Sequence, residues 1–142
     1  MSTLAEKQLQ NAQKFLDLLG NPPVDFDAWA DLLSPDFVLE YHPATMPMPD
    51  GKATRNKAET VPFFKEAWNE RFEYIKFASP IDTIQGKDAV VFHVKSYGMH
   101  KSGKKYDNEY MFTFKFSGEK IVRMKEFADS KYTTEYFASL HA

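Results

Sequence analysis

The chain has 142 residues, of which 43% are hydrophobic and 27% charged, and this balance fits one domain with one core. Its net charge of −2 arises from 18 basic and 20 acidic residues mixed along the chain, so no nucleic-acid partner is expected. The absence of cysteine excludes disulfides, thiolate catalysis and Cys-ligated zinc. Because no segment resembles a signal peptide or a membrane span, we expect a cytoplasmic protein without membrane contact.

Apolar residues at helical spacing predict three helices in the first half of the chain. They cover about residues 4–19, 25–33 and 56–71. The segment Gly20-Asn21-Pro22-Pro23 ends the first helix, and Ser34-Pro35-Asp36 ends the second.

A short strand is predicted at 37–41, between the second and third helices, and a proline-rich loop follows at 42–51. The three prolines of this loop forbid a central strand. Met46 and Met48 make it an apolar, adaptable candidate for a lid over a cavity. A rigid connector is the alternative interpretation.

The second half of the chain changes from helical to strand periodicity. Four strands are predicted at about 73–84, 88–99, 104–116 and 120–128, joined by turns that contain glycine. A last helix begins near Ser130, with Asp129 as its N-cap. The order predicts a single α+β domain over residues 1–142: three N-terminal helices, one short strand, a curved four-stranded antiparallel meander and a C-terminal helix. Such a sheet leaves a cavity at its open end.

The alternation of side chains along a strand predicts which residues face that cavity. Tyr110, Phe112, Phe114 and Phe116 share one face, with Asn108 near the open end. A tight turn at Ser102-Gly103 would set Tyr97 opposite Asn108 and His93 opposite Phe112. On the last strand, Val122, Met124, Glu126 and Ala128 form the predicted inner face, with Glu126 beside Phe112. A slip of one residue at either turn would reverse these assignments.

Several motifs resemble the SnoaL-like (nuclear transport factor 2-like) superfamily. They are Glu40-Tyr41-His42-Pro43, Arg55-Asn56-Lys57-Ala58-Glu59, the segment 107–114 and the segment 118–129. The loop His42-Pro43-Ala44 followed by the second motif is similar to an uncharacterised fungal branch. The resemblance covers nearly the whole chain and implies a cone-shaped α+β fold, whose members include polyketide cyclases, isomerases, dehydratases, epoxide hydrolases and binding-only proteins.

The resemblance also implies roles for single residues. His42 stands where the ketosteroid isomerases of the family carry their base, whereas Phe15 and Phe112 stand where those enzymes carry hydroxyl donors. Steroid isomerisation is therefore not expected. Glu126 matches the acid on the last strand of limonene epoxide hydrolase.

Three ionisable residues are the candidate catalytic groups, namely Glu126, His93 and His42. A carboxylate that faces an aromatic cavity should have a raised pKa, which suits proton transfer near neutral pH. The alternatives are an ion pair of Glu126 with Lys95 or Arg123, and a hydrogen-bonded core position for His93. Tyr41 and Glu109 are expected to be surface or interface groups.

The candidate substrate-binding residues are mostly aromatic or apolar. They are Phe15, Tyr97, Asn108, Tyr110, Phe112, Met124, Met46, Met48 and Trp68. The four histidines are scattered without the spacing of a metal site, so neither a metal nor another cofactor is expected.

Two functions remain open from the sequence. The first is cofactor-free acid/base chemistry on a small, largely apolar molecule by a dehydratase, cyclase, isomerase or epoxide hydrolase. The second is a non-catalytic binding or structural module with a vestigial pocket. Under both, a homodimer is expected through the outer face of the sheet, where Met111, Thr113, Phe127 and Val94 would be too apolar for full exposure.

Overall fold

Short polar caps determine where the two N-terminal helices begin. The computed structural model describes residues 1–141. Helix α1 (Leu4–Leu19) begins at Thr3, whose side chain accepts a hydrogen bond from the Glu6 amide at 3.1 Å, and helix α2 (Phe26–Asp31) begins in the same way at Asp25. Helix α2 is shorter than predicted, because the chain is already extended at Leu33.

The two later helices also begin at capped residues. Helix α3 (Lys57–Glu66) starts with a reciprocal capping box between Asn56 and Glu59 and continues as a π-helical turn, Ala67–Arg71. Helix α4 (Ser130–Ser139) begins at Asp129, as predicted. Within residues 1–141, no helix has both the length and the apolar character that crossing a membrane requires.

Within residues 1–141, seven strands form one curved sheet. They are β1 (Leu33–His42), β2 (Thr54–Asn56), β3 (Phe72–Phe77), β4 (Asp82–Gly86), β5 (Ala89–His100), β6 (Lys105–Ser117) and β7 (Lys120–Ala128). Their order is β2-β1-β7-β6-β5-β3, and β4 pairs with β5 beside β3. Strand β1 runs parallel to β7, while every other pair is antiparallel. The predicted α+β class with a curved sheet is confirmed.

The strands differ from the prediction in three places. The predicted strand 73–84 is two strands, because Pro80 lies between β3 and β4 and has no N–H to donate to β5. Strand β1 is longer than predicted, since the segment 34–36 lies in an irregularity of its pairing with β7 instead of ending a helix. The three residues of β2 were not predicted.

The pairing of β5 with β6 corrects the predicted inner face of β5. Ser96 lies opposite Asn108 and Phe92 opposite Phe112, where Tyr97 and His93 were expected. The connection contains four residues, 101–104, and the shift of one residue reverses which side chains face inward. Val94 is consequently fully buried, and not on the outer face.

The pairing of β6 with β7 agrees with the prediction around the candidate acid, since Glu126 lies opposite Phe112 and Met124 opposite Phe114. A register shift beyond Lys115 places Ile121 opposite Phe116, so Ile121 takes the buried position expected for Val122.

Aromatic rings join the helices to the inner face of the sheet. The Phe15 ring centroid lies 5.0 Å from that of Trp29 and 5.3 Å from that of Phe114, and all three side chains are almost fully buried. The Trp29 ring stacks on Phe64 at 4.8 Å. This cluster closes the inner end of the fold and leaves the opposite end of the sheet open.

Truncation of this cluster should destabilise the fold. We expect Phe114→Ala to lower the free energy of unfolding by about 3–5 kcal/mol, because it removes a fully buried ring and leaves a cavity. Urea denaturation measures the change. Lys115→Ala, on the outer side of the same strand, is the control and should cost less than about 0.5 kcal/mol. Similar unfolding midpoints for the two variants would contradict this account.

Candidate ligand cavity

A cavity of about 720 Å³ lies between the inner face of the sheet, helices α1, α3 and α4, and the proline-rich loop. Its wall is mostly apolar, and its volume is within the range of about 300–1,000 Å³ that is typical of small-molecule sites. The sequence segment Met46–Pro49 contributes four consecutive residues to the wall, so the proline-rich loop forms one side of the cavity.

The structure places seven of the nine predicted binding residues in the wall of this cavity. They are Phe15, Met46, Met48, Trp68, Tyr110, Phe112 and Met124. The indole N–H of Trp68 donates to the Leu19 carbonyl at 3.0 Å, which fixes the orientation of its ring. Asn108 is buried behind the wall, where its amide nitrogen donates to the hydroxyls of Tyr106 and Thr133.

Glu126 is a carboxyl group in the wall of this cavity. It lies on the inner face of β7, between Tyr41 of β1 and Phe112 of β6. Within residues 1–141, its carboxyl group forms neither a hydrogen bond nor an ion pair, and burial raises its pKa to about 7. Part of its surface is accessible from the cavity, although protein surrounds it on all sides. Near neutral pH, the Glu126 carboxyl group is therefore protonated in part of the molecules and ionised in the rest.

The expected ion-pair partners of Glu126 lie on the other side of the sheet. Arg123 bonds to Glu40 on the outer face, and Lys95 points outward from β5. The alternative interpretation of Glu126 as half of a structural ion pair is wrong, because strand alternation separates it from both cations.

Three buried tyrosines lie near the Glu126 carboxyl group. Burial, together with the negative charge of Glu126, raises the pKa of Tyr106 to about 12 and holds the pKa values of Tyr41 and Tyr110 well above the ordinary range. All three line the cavity. Their hydroxyls stay protonated at any physiological pH and serve as hydrogen-bond donors.

Two of the predicted site residues lie outside the cavity because the register of β5 differs from the prediction. His93 is on the outer face, where its Nε2 lies 2.5 Å from a carboxylate oxygen of Glu109. Tyr97 is 49% exposed on the same face. Placing His93 and Tyr97 in the cavity was therefore wrong.

His42 is also outside the cavity. Tyr41 and His42 are neighbours in β1, so their side chains point to opposite faces of the sheet. The Tyr41 side chain is the one that lines the cavity, contrary to the expected surface position, while the His42 ring stacks on Phe127 at 4.7 Å on the outer face. Glu126 alone of the three candidate catalytic residues lies in the wall.

Sequence reasoning missed several residues of the wall. Tyr106 shares the inner face of β6 with Asn108 and Tyr110, and the same alternation would have found it had the strand been followed to its start. Arg71 and His100 also line the cavity, but their polar atoms bond to exposed groups of Glu66 and Ser102. No sequence signal predicted these two residues.

The described residues contain no set of side chains that could bind a metal ion. Between residues 1 and 141, no three histidine, aspartate or glutamate side chains lie close enough together to hold a metal ion. The polar groups of the cavity wall include one carboxyl group and several hydroxyls besides the side chains of Arg71 and His100, which suits hydrogen bonding and proton transfer to an organic molecule.

The raised pKa of Glu126 predicts how stability depends on pH. The folded pKa of about 7 exceeds the ordinary value of 4.5, so Glu126 does not destabilise the fold below pH 4.5, and its destabilising contribution grows as pH rises from 4.5 towards 7. Glu126→Gln lacks this titration. We expect the stability of the variant relative to wild type to increase by at most about 3 kcal/mol across this window, measured by denaturation at successive pH values.

The matched control is Glu73→Gln, which changes an exposed carboxyl group on β3. Its stability relative to wild type should stay nearly constant over the same window. A pH-independent difference between Glu126→Gln and wild type would show that the Glu126 carboxyl group titrates normally.

Comparison with known proteins places this architecture in a family. The sequence matches the SnoaL-like domain family over residues 12–124. No curated protein matches the sequence.

Three solved structures illustrate the similarity of fold. The BvnE pinacolase from Penicillium brevicompactum is 25% identical, with a TM-score of 0.78 over 96% of this chain and 95% of that chain. PrhC from Penicillium brasilianum is 18% identical, with a TM-score of 0.81 over 98% and 91%. A phenazine biosynthesis-related protein from Pseudomonas aeruginosa is 14% identical, with a TM-score of 0.72 over 93% and 81%. The chain has the nuclear transport factor 2-like cone fold and belongs to the SnoaL-like domain family.

Proposed function

We propose that this protein binds a small, largely apolar molecule in the interior cavity and performs cofactor-free acid/base chemistry on it. The observation that carries the proposal is the unpaired carboxyl group of Glu126 in an apolar wall. A buried carboxyl group without a partner lowers the stability of the fold, so its position in the cavity wall supports a role beyond stability.

The proposed chemistry follows from the pKa of Glu126. With a pKa of about 7, the carboxyl group can give a proton to a ligand or remove one at neutral pH. Both the protonated and the ionised form are populated, so neither has to be formed at a large cost in free energy. The apolar wall around the carboxyl group lowers the local dielectric constant, which strengthens its electrostatic interaction with a bound molecule. The reaction class is therefore a proton-dependent rearrangement, elimination, cyclisation or hydrolysis.

The similar structures support a small-molecule ligand. One of them is a pinacolase and another is a phenazine biosynthesis-related protein. From this similarity we infer for this chain only that its cavity binds a small molecule.

The second candidate function is a binding module without catalysis. It is favoured by the positions of His42 and His93, which leave Glu126 without the histidine partners that the sequence predicted. In this case the protein would bind its ligand and release it unchanged.

Substitution of Glu126 separates the two functions. We expect a thermal-shift screen of small apolar molecules to identify ligands of the wild type, and mass spectrometry to detect conversion of some of them. Glu126→Gln should still bind these ligands but lose conversion by about 10²–10⁴-fold, because the amide cannot exchange a proton. Glu73→Gln is the control and should keep full conversion.

Conversion at the wild-type rate by Glu126→Gln would contradict the catalytic proposal. Binding without conversion by the wild type would leave the binding module as the function. A screen without any cavity ligand would contradict both.

We also propose that the outer face of the sheet forms a homodimer interface. Tyr97, Met111 and Phe127 are 40–49% exposed on three neighbouring strands, and a second copy would cover them. On the same face, Glu109 and Arg123 are paired with His93 and Glu40 of the same chain, so a second copy would not leave these charges buried without partners.

A charge in the apolar part of this face should disrupt the dimer. We expect wild-type protein to elute at twice the chain mass in size-exclusion chromatography with light scattering, and Met111→Glu to elute as a monomer with an unchanged circular dichroism spectrum. Leu4→Glu, at an exposed apolar position on α1, is the control and should remain dimeric. A monomeric wild type would overturn the proposal.

A further inference from the structure

A chain of buried polar side chains crosses the cavity wall near Glu126. The Ser96 hydroxyl lies 2.9 Å from the Tyr110 hydroxyl, and the Tyr110 hydroxyl lies 3.4 Å from that of Tyr106. The Asn108 amide nitrogen lies 2.8 Å from the Tyr106 oxygen. All four residues are at least 94% buried, and the two tyrosines line the cavity.

The orientation of the Asn108 amide is fixed by its other partners. Its oxygen accepts a hydrogen bond from the Glu109 amide at 2.8 Å, so the nitrogen is the end that faces Tyr106. The Thr133 hydroxyl donates its own proton to the Asp129 carbonyl at 2.8 Å and therefore accepts from Asn108. Asn108 is thus a donor towards Tyr106 and cannot accept the tyrosine's proton.

Among the hydroxyl groups of Ser96, Tyr110 and Tyr106, one proton has no acceptor. Ser96, Tyr110 and Tyr106 have one proton each, whereas only two contacts join their oxygens. The Tyr106 oxygen accepts from Asn108 on one side and from Tyr110 on the other, so its own proton has no acceptor in the chain of side chains. Because Tyr106 lines the cavity, this proton is available to a bound molecule.

We infer that the Tyr106 hydroxyl donates a hydrogen bond to an oxygen atom of the ligand, and that Asn108 positions this donor. The inference rests on the proposed binding function and narrows the ligand class. The ligand is an apolar molecule with an acceptor oxygen, such as a carbonyl, ether or epoxide. A hydrocarbon would leave the buried donor unsatisfied, which disfavours it relative to an oxygenated molecule of the same shape.

The position of this donor also relates the ligand oxygen to the candidate acid. Tyr106 and Glu126 both line this cavity. One bound molecule can therefore meet the Tyr106 hydroxyl and the Glu126 carboxyl group together. This arrangement suits chemistry at the oxygen itself or at the carbon atoms next to it.

Two probes of equal shape test the inference. 2-Acetylanthracene carries a carbonyl group where 2-isopropenylanthracene carries a carbon–carbon double bond, and fluorescence titration measures both affinities. We expect wild-type protein to bind the ketone about tenfold more tightly than the alkene. Tyr106→Phe should lose this preference and bind the alkene at least as tightly as the ketone, because the carbonyl group then loses its hydration without gaining a donor. The infrared carbonyl band of the bound ketone should move to higher frequency than in the wild-type complex.

Tyr136→Phe is the matched control. Tyr136 is also buried and its ring packs 4.9 Å from that of Tyr106, but its hydroxyl donates to the Lys104 carbonyl outside the cavity. The variant loses a buried hydroxyl in the same region and should retain the tenfold preference for the ketone. It therefore separates loss of stability from loss of the ligand contact.

The outcomes distinguish this inference from the proposed function. Equal affinity of wild type for the two probes overturns the role of Tyr106 while leaving the apolar cavity as a binding site. A ketone preference that survives in Tyr106→Phe but disappears in Tyr110→Phe also overturns it. Failure of both probes to bind wild-type protein contradicts the proposed function, and the inference with it.

Discussion

The burial of the Glu126 carboxyl group without a partner is the constraint on which the cavity chemistry depends. Pairing of β7 with both β1 and β6 places this group between Tyr41 and Phe112, and strand alternation directs the nearby cations to the other side of the sheet. The resulting rise in pKa lowers stability at neutral pH and leaves a proton available for chemistry. The fold tolerates this cost because its aromatic cluster buries a large apolar area elsewhere.

The two faces of the sheet have different kinds of polar groups. The inner face combines Glu126 with tyrosine hydroxyls, which have few partners besides one another. On the outer face, charged groups meet partners of opposite sign, as in the pairs His93–Glu109 and Arg123–Glu40. The Glu126 carboxyl group is thus placed where a ligand can bond to it, while these charged pairs lie where solvent or a second copy of the chain would cover them.

Sequence reasoning succeeded where periodicity and residue chemistry were sufficient. The inner face of β6 follows from its alternating aromatic residues, and the cap at Asp129 follows from local hydrogen bonding. The pairing of Glu126 with Phe112 was also predicted, because Met124 and Glu126 were assigned to the inner face of the last strand, and a register shift beyond Lys115 brings them opposite Phe114 and Phe112. The first two features depend on residues close together in the chain.

The sequence by itself determined the α+β class, the aromatic inner face of the sheet and Glu126 as the candidate acid. Only the tertiary structure decided that His93 and Tyr97 point outward, since the four-residue connection after β5 moves the register by one position. The structure also decided that the Tyr106 oxygen accepts hydrogen bonds from Asn108 and Tyr110, because this depends on how the Asn108 amide contacts Thr133 of α4. Local patterns specify the faces of single strands, whereas relations between strands and helices arise only when the chain packs.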